Sequence, residues 1–187
     1  MGKFLAALAV MFALLFGVIG YGVSQYNTMV ELSTGVEEAM GNIDSSLERR
    51  ADLIPNLVNT VKGYAAHESG VFKEVAEARK ALMSAGSIQE KAQANEALSG
   101  ALGRLLAISE SYPELKSDKV YIGLMDELAG TENRISYARD QYNAKVKSYN
   151  ICVKGFPGSL FARQFGYEPA EFFKVDEKKK AVPKVDL

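Results

Sequence analysis

Residues 49–58 read RRADLIPNLV. The stretch lies inside an apolar periodic run, and its reading decides whether that run is one helix or two. Val36, Met40, Ile43, Leu47, Arg50, Ile54, Leu57, Val61, Tyr64, Glu68, Val71, Val75, Ala78 and Leu82 recur in alternating steps of four and three. That spacing is a heptad seam. Proline removes a backbone donor and crowds the carbonyl four residues earlier, so it kinks or ends a helix. The seam nevertheless keeps its phase across Pro55. The unbroken phase predicts one long helix, bent at Pro55, whose seam from Val36 to Leu82 measures about 70 Å by helix rise. Two helices meeting at Pro55 is the alternative.

Polar residues interrupt the seam. Arg50 and Glu68 occupy positions where an apolar residue is expected. Asn95 lies near the seam of a second helix and Thr131 on that of a third. Burying an unpaired guanidinium costs several kcal/mol, so Arg50 needs a partner across the bundle or a polar groove. Glu110, Glu127 and Glu132 are the candidate partners. A buried polar layer of this kind fixes the register of packed helices; the functional alternative is a charged pocket for a ligand. Asp52, three residues before Pro55, is expected to accept from local backbone donors if the helix restarts there. Asn56 and Asn59 are placed to satisfy carbonyls freed by Pro55.

The pattern is helical almost throughout. Ser84-Ala85-Gly86-Ser87 reads as a turn. A second helix follows with Leu98, Leu102, Leu105 and Leu106 on its apolar face, ending before Tyr112-Pro113. Ser117 or Asp118 caps a third helix. Its seam is Tyr121, Leu124, Leu128, Thr131, Ile135, Ala138, Tyr142, Val146, Tyr149 and Val153, and Gly155, Pro157 and Gly158 stop it. A short helix is expected over Ser159–Phe165. No segment alternates with period two over a strand's length. The fold class is therefore all-α: an N-terminal transmembrane helix, then an elongated antiparallel bundle of three to four main helices plus a short C-terminal helix. Residues 1–25 form the anchor, 26–173 the bundle, and 174–187 a flexible, polar, lysine-rich tail.

The anchor is read from Phe4–Val23, 20 residues without a charge. As a helix they span about 30 Å, the hydrocarbon core of a bilayer. A cleaved signal peptide is the rival reading, but its apolar core is shorter and its cleavage site clearer. Lys3 precedes the span, whereas Glu31, Glu37, Glu38, Asp44 and Glu48 follow it with no Lys or Arg between Ser24 and Glu48. By the positive-inside rule the bundle lies outside the cytoplasm.

Composition removes several function classes. The net charge of −1 supplies no basic field for nucleic acid. One cysteine, Cys152, allows neither an intrachain disulfide nor a cysteine-based metal site. His67-Glu68 opens like a zincin motif, but HESGV lacks the second histidine, and the chain has only one. No nucleophile elbow, P-loop or dinucleotide fingerprint is present. Neither catalytic residues, nor a metal, nor a cofactor are expected. Tyr142-Asn143 and Tyr149-Asn150, one heptad apart, repeat the dipeptide of Tyr26-Asn27. They read either as seam packing with hydroxyls at the rim or as a ladder at a subunit interface.

Taken together, the chain resembles the LemA family of bacterial membrane proteins. The resemblance rests on YNTMVEL at 26–32, RRADLIPNLVNTVKGYAAHE at 49–68, EARKAL at 77–82, ESYPELKSD at 110–118, ELAGTENRISYARDQYN at 127–143, YN at 149–150 and FPGSLFARQFGYEPAEFF at 156–173. It implies a single-pass N-terminal anchor in the bacterial inner membrane carrying a helical bundle, and no established enzymatic activity. Relatives tied to membrane organisation, including magnetosome formation, belong to it. Members described with the domain in the cytoplasm imply the orientation opposite to the charge rule. The family's polar motifs fall in three helices, and we expect them to converge on one layer of Arg50, Glu68, Glu110, Glu132, Asn133, Arg134 and Arg139. Arg49, Asp52, Pro55, Asn56, His67, Tyr142, Asn143, Tyr149 and Asn150 complete the candidate interaction residues. The expected function is a membrane-anchored scaffold that self-associates and organises membrane or partner proteins, because a seam of that length exceeds what the second helix covers. An anchored adaptor or sensor with a ligand or peptide in the polar layer is the alternative. The expected partners are the bilayer, further copies of the chain and other membrane proteins.

Overall fold

The computed structural model describes residues 2–174. Beyond Lys174, the lysine-rich tail lies outside the described residues. Six helices and no strand occur among them: α1 (Gly2–Lys62), α2 (Ser69–Ser84), α3 (Ile88–Ser109), α4 (Pro113–Lys116), α5 (Lys119–Lys154) and α6 (Gly158–Phe165). The chain is all-α, as its periodicity predicts. Two compact units share these helices. Among the described residues, one comprises 2–40 together with Gln141–Glu171, the other Gly41–Asp140 together with 172–174.

Helix α1 runs through Pro55 without interruption. Continuity has a local price: with no N–H at Pro55, the carbonyl of Ala51 loses its helical donor. Ala51 is fully buried, and an unmet buried carbonyl costs about 1–3 kcal/mol. Arg79 of α2 replaces the missing donor, its Nε standing 2.7 Å from the Ala51 oxygen. Asp52 faces the same guanidinium at 3.8 Å. The expectation of a local backbone acceptor at Asp52 is thus overturned, since the helix does not restart there. Asn56 and Asn59 are exposed, and the freed carbonyl is met from another helix rather than by them.

The prediction that one helix carries the whole seam fails further on. α1 ends at Lys62, and residues 63–68 reverse the chain into α2. Two short turns close it, from Tyr64 N–H to the Val61 carbonyl (3.0 Å) and from Glu68 N–H to the Ala65 carbonyl (3.1 Å). The Tyr64 hydroxyl donates to Asp118 at the start of α5 (2.9 Å). α2 then folds back on α1, burying Phe72, Val75 and Leu82. Beyond Lys62 the seam is therefore partly covered within the chain, at Val75 and Leu82, while Tyr64 stays exposed.

In the unit built from Gly41–Asp140, cross-helix contacts give the directions. Asp44 meets Lys91 and Arg50 meets Asn95, so α3 runs parallel to α1. Arg79 meets Ala51 and Arg104 meets Glu74, so α2 runs against both. Arg49 meets Glu127 and Tyr64 meets Asp118, so α5 is antiparallel to α1. Ile43, Ile54, Leu57, Val61, Val75, Leu98, Leu105 and Ile135 fill the core. The caps follow the sequence. Ser87 and Glu90 form a reciprocal capping box; the Ser87 and Gly86 N–H groups hold the Glu90 carboxyl below its ordinary value. Asp118 accepts from Val120 and Tyr121 N–H (2.7 and 3.0 Å). The Tyr121 N–H and then the Tyr64 hydroxyl hold its carboxyl low as well. The single turn α4 was not anticipated; Pro113 at its start suits a first helical position.

In the other unit, Met29 of α1, Tyr149 and Val153 of α5 and Ala162 of α6 form the core, flanked by Leu32, Val36, Cys152, Phe161, Tyr167 and Ala170. Gly158 permits the tight turn between α5 and α6, because a Cβ there would collide with the Cys152 carbonyl. Gly166 ends α6 in the left-handed conformation at φ 75°. Residues 2–21 of α1 are exposed throughout. They form the one helical stretch among the described residues long and apolar enough to cross a membrane.

The Arg79 contact yields a double-mutant prediction. Arg79→Leu destabilises the full chain in mild detergent by about 1–3 kcal/mol. In a Pro55→Ala background, which restores the missing N–H, the same substitution has a clearly smaller effect. Equal losses in both backgrounds, measured by urea unfolding, would show that the Ala51 carbonyl is not what Arg79 serves.

Candidate functional site

The polar position on the α1 seam becomes a buried site between α1, α3 and α5. Arg50 is 5% exposed. Its Nη1 donates to Asn95 Oδ1 (2.6 Å) and its Nη2 to Ser99 Oγ (3.0 Å), both on α3. Across from them, Glu132 of α5 places Oε2 2.5 Å from Nη1. Burial pushes the Arg50 guanidinium below its ordinary value, and the Glu132 charge works against that shift. The two partners differ in setting: the Arg50 side chain is 6% exposed and that of Glu132 46%. The carboxylate therefore keeps part of its hydration, while the guanidinium depends on its three protein neighbours. Arg50 Nε and Glu132 Oε2 lack a hydrogen-bond partner despite their burial; the ion pair is close but not aligned as a hydrogen bond.

A cleft of about 270 Å³ opens beside this pair. Leu57, Leu102, Leu106, Met125 and Leu128 supply apolar walls, and Arg50, Ser99 and Glu132 its polar side. Gly103 also lines it, and a Cβ on Gly103 meets open space. The arrangement fits a small, mainly apolar group carrying one acceptor.

Of the proposed acidic partners for Arg50, Glu132 is the one in place. Glu127 pairs instead with Arg49 at the surface (2.8 Å). Glu110 is exposed at the C-terminal cap of α3. The expected seven-residue layer does not form. Glu68 lies at the start of α2, where its carbonyl accepts from Val71 and Phe72. His67 is exposed in the preceding turn, and Asn133 and Arg134 are exposed on α5. Arg139 is half-buried, its guanidinium 5.3 Å above the ring of Phe173. Thr131 is buried and satisfies itself by donating to the Leu128 carbonyl (2.8 Å). Ser99 and Arg79 were missed. Ser99 follows Asn95 by one helical turn and so shares its face; counting four residues back from Pro55 marks the Ala51 carbonyl as needing a donor, but nothing local points to Arg79.

The tyrosine-asparagine pairs act within one chain. Tyr142 donates to the Glu171 carbonyl (2.9 Å) and Tyr149 to the Glu168 carbonyl (2.8 Å). Asn150 both donates to the Ala170 carbonyl and accepts from its N–H, each at 2.8 Å. Burial raises both phenols above their ordinary values. These three side chains strap the extended segment after α6 onto α5. They are therefore engaged internally and not available as an intersubunit ladder. Tyr26 packs its ring on Phe165 (5.0 Å) and Tyr167 (6.2 Å).

An apolar N-terminal helix long enough for a bilayer, followed by helices packed around buried polar pairs, defines a membrane-associated helical-bundle protein. The LemA family profile matches residues 39–187. The chain belongs to the LemA family. Among characterised relatives, magnetosome protein MamQ 2 of Paramagnetospirillum magneticum is 30% identical, over 80% of this chain and 65% of the relative. Magnetosome protein MamQ of Magnetospirillum gryphiswaldense is 29% identical, over 80% of this chain and 64% of the relative. The chain thus spans less than two thirds of the length of these relatives.

Two predictions follow from the pairs described. Glu132→Leu, which leaves the buried guanidinium without a counter-charge, lowers stability by about 3–5 kcal/mol. Arg50→Leu lowers it by about 1–3 kcal/mol, because Glu132 turns to solvent and the loss is chiefly at Asn95. The reverse order in chemical unfolding would refute this account of the pair. Separately, Asn150→Ala makes the chain on either side of Tyr167 a rapid chymotrypsin site while the thermal midpoint falls by only a few degrees; unchanged cleavage would mean the strap does not depend on that amide.

Proposed function

We propose that the protein is a non-enzymatic scaffold anchored in the bacterial inner membrane by a single N-terminal span, self-associating there to organise membrane or partner proteins. One observation carries the reading. The apolar run of α1 is exposed as far as Tyr21 and passes, inside one helix, into the packed core around Met29. A helix that leaves a bilayer already packed against α5 and α6 holds its domain close to the surface. The polar residues suited to chemistry support the same reading: Arg50, Glu132, Asn95, Tyr142, Tyr149 and Asn150 are all engaged with one another or with the backbone. The magnetosome relatives point to a role in a membrane compartment. The surface offered to partners includes α5, where Asn133 and Arg134 are exposed and Tyr137 is 67% exposed. The charge distribution around the span favours the domain outside the cytoplasm.

The cleft beside Arg50 favours a second reading, an anchored adaptor or sensor with a small apolar ligand. The mass of the full chain in mild detergent, corrected for bound detergent, separates the two. The scaffold reading expects one discrete assembly larger than a monomer. A monomer across the accessible concentration range would end it and leave the adaptor.

A further inference from the structure

Helix α6 has the pattern of an element built for a boundary. Phe161 and Ala162 face inward, and Arg163 and Gln164 are exposed. Yet Phe156, just before it, is 85% exposed, Leu160 is 61% exposed and Phe165 is 45% exposed. Three large apolar side chains within ten residues are thus presented to the surroundings. Full burial of such a side chain is worth roughly 1.5–3 kcal/mol, and in water these three leave between about half and most of it unrealised.

The position of α6 identifies what covers them. The Phe161 ring packs over Gly22, where a Cβ would stand only 3.1 Å from it. It also lies 5.8 Å from the ring of Tyr21, and Phe165 lies 5.0 Å from Tyr26. Residues 21–26 are where the apolar run of Phe4–Val23 ends. α6 is therefore docked at the exit of the span, with its start, near Phe161, beside Tyr21 and Gly22 and its end, at Phe165, beside Tyr26. Aromatic rings gathered at that level form the belt found where hydrocarbon gives way to headgroups. An eight-residue helix is too short to bind a membrane on its own, but the neighbouring span removes the cost of bringing it there.

We propose that Phe156–Phe165 is an interfacial membrane element, seated at the headgroup–acyl boundary with Phe156 and Leu160 inserted and Phe165 at the rim. The proposal rests on the reading of residues 4–23 as a bilayer span. Its partner is the lipid surface itself. Seating α6 there also fixes the rotation of α1 about its own axis relative to the membrane plane, which a single span alone leaves free.

The chain contains no tryptophan, so one introduced residue is the sole tryptophan emitter. The full chain is reconstituted in phosphatidylcholine–phosphatidylglycerol vesicles whose acyl chains carry bromine either near the headgroup or near the bilayer centre. Phe156→Trp and Leu160→Trp should emit at shorter wavelength than a water-exposed tryptophan and lose more emission to shallow bromine than to deep. Phe12→Trp, within the span, should lose more to deep bromine. If Phe12→Trp is quenched while the other two emit as in water, α6 does not touch the bilayer and the proposal falls. If the other two are blue-shifted but unquenched, protein covers the face, a second copy included, and the proposal also falls. If Phe12→Trp itself is unquenched, the span reading fails first and takes the interfacial element with it.

Discussion

The carbonyl of Ala51 constrains this fold more than any apolar contact does. It is buried, and the proline four residues later cannot serve it. Hydrophobic packing has no direction and leaves many helix arrangements close in energy; a buried acceptor needs one donor at one place. Arg79 meets that need only if α2 returns antiparallel along α1 in a single register. The reversal at residues 63–68 makes the return possible, and the register of α2 then sets where α3 runs. Asp52, one residue beyond Ala51, meets the same guanidinium and holds it over the carbonyl. The crowding of arginine, aspartate and proline in RRADLIPNLV thus has a single physical logic.

Arg50 and Arg79 are both guanidinia at helix contacts, but their energetics differ. Arg79 is partly hydrated and completes a backbone bond. Arg50 is almost fully desolvated and depends on Glu132, Asn95 and Ser99 for compensation. A desolvated ion pair of that kind rarely adds net stability over an apolar replacement. Its value lies in specificity, since α1, α3 and α5 must all be in place before the charge is satisfied. The uneven exposure of the pair gives it a polar side toward the cleft.

Much of this was legible in the residues. The all-helical class, the turn at 84–87, the cap at Asp118, the stop at Gly155 and the short α6 all follow from local signals of capping and chain breaking. Arg50, Asn95 and Thr131 stood out as buried because they sit on apolar seams, and they are buried. Where α1 ends was misread for a definite reason. α2 happens to place its apolar residues in phase with α1, so periodicity alone sees one helix. Gly63, Ser69 and Gly70, around an apolar-poor stretch, were the competing signal. That Glu68, Glu110 and Arg139 stay away from Arg50 was unreadable, because direction across a bundle depends on the reversals between helices. The roles of Tyr149 and Asn150 were hidden for another reason: their partners are backbone atoms, which leave no mark in a side-chain pattern.

That last feature has an evolutionary reading. Tyr142, Tyr149 and Asn150 grip the segment after α6 through the carbonyls of Glu168, Ala170 and Glu171 and the N–H of Ala170. Such a grip recognises the path of the chain and is indifferent to the side chains displayed along it. A point change at Glu168 leaves these backbone bonds intact, whereas adding or deleting one residue there displaces all of them. The length of the segment is thus held more tightly than the chemistry of its outward residues such as Glu168 and Pro169, while Tyr167 and Ala170 stay tied to the core.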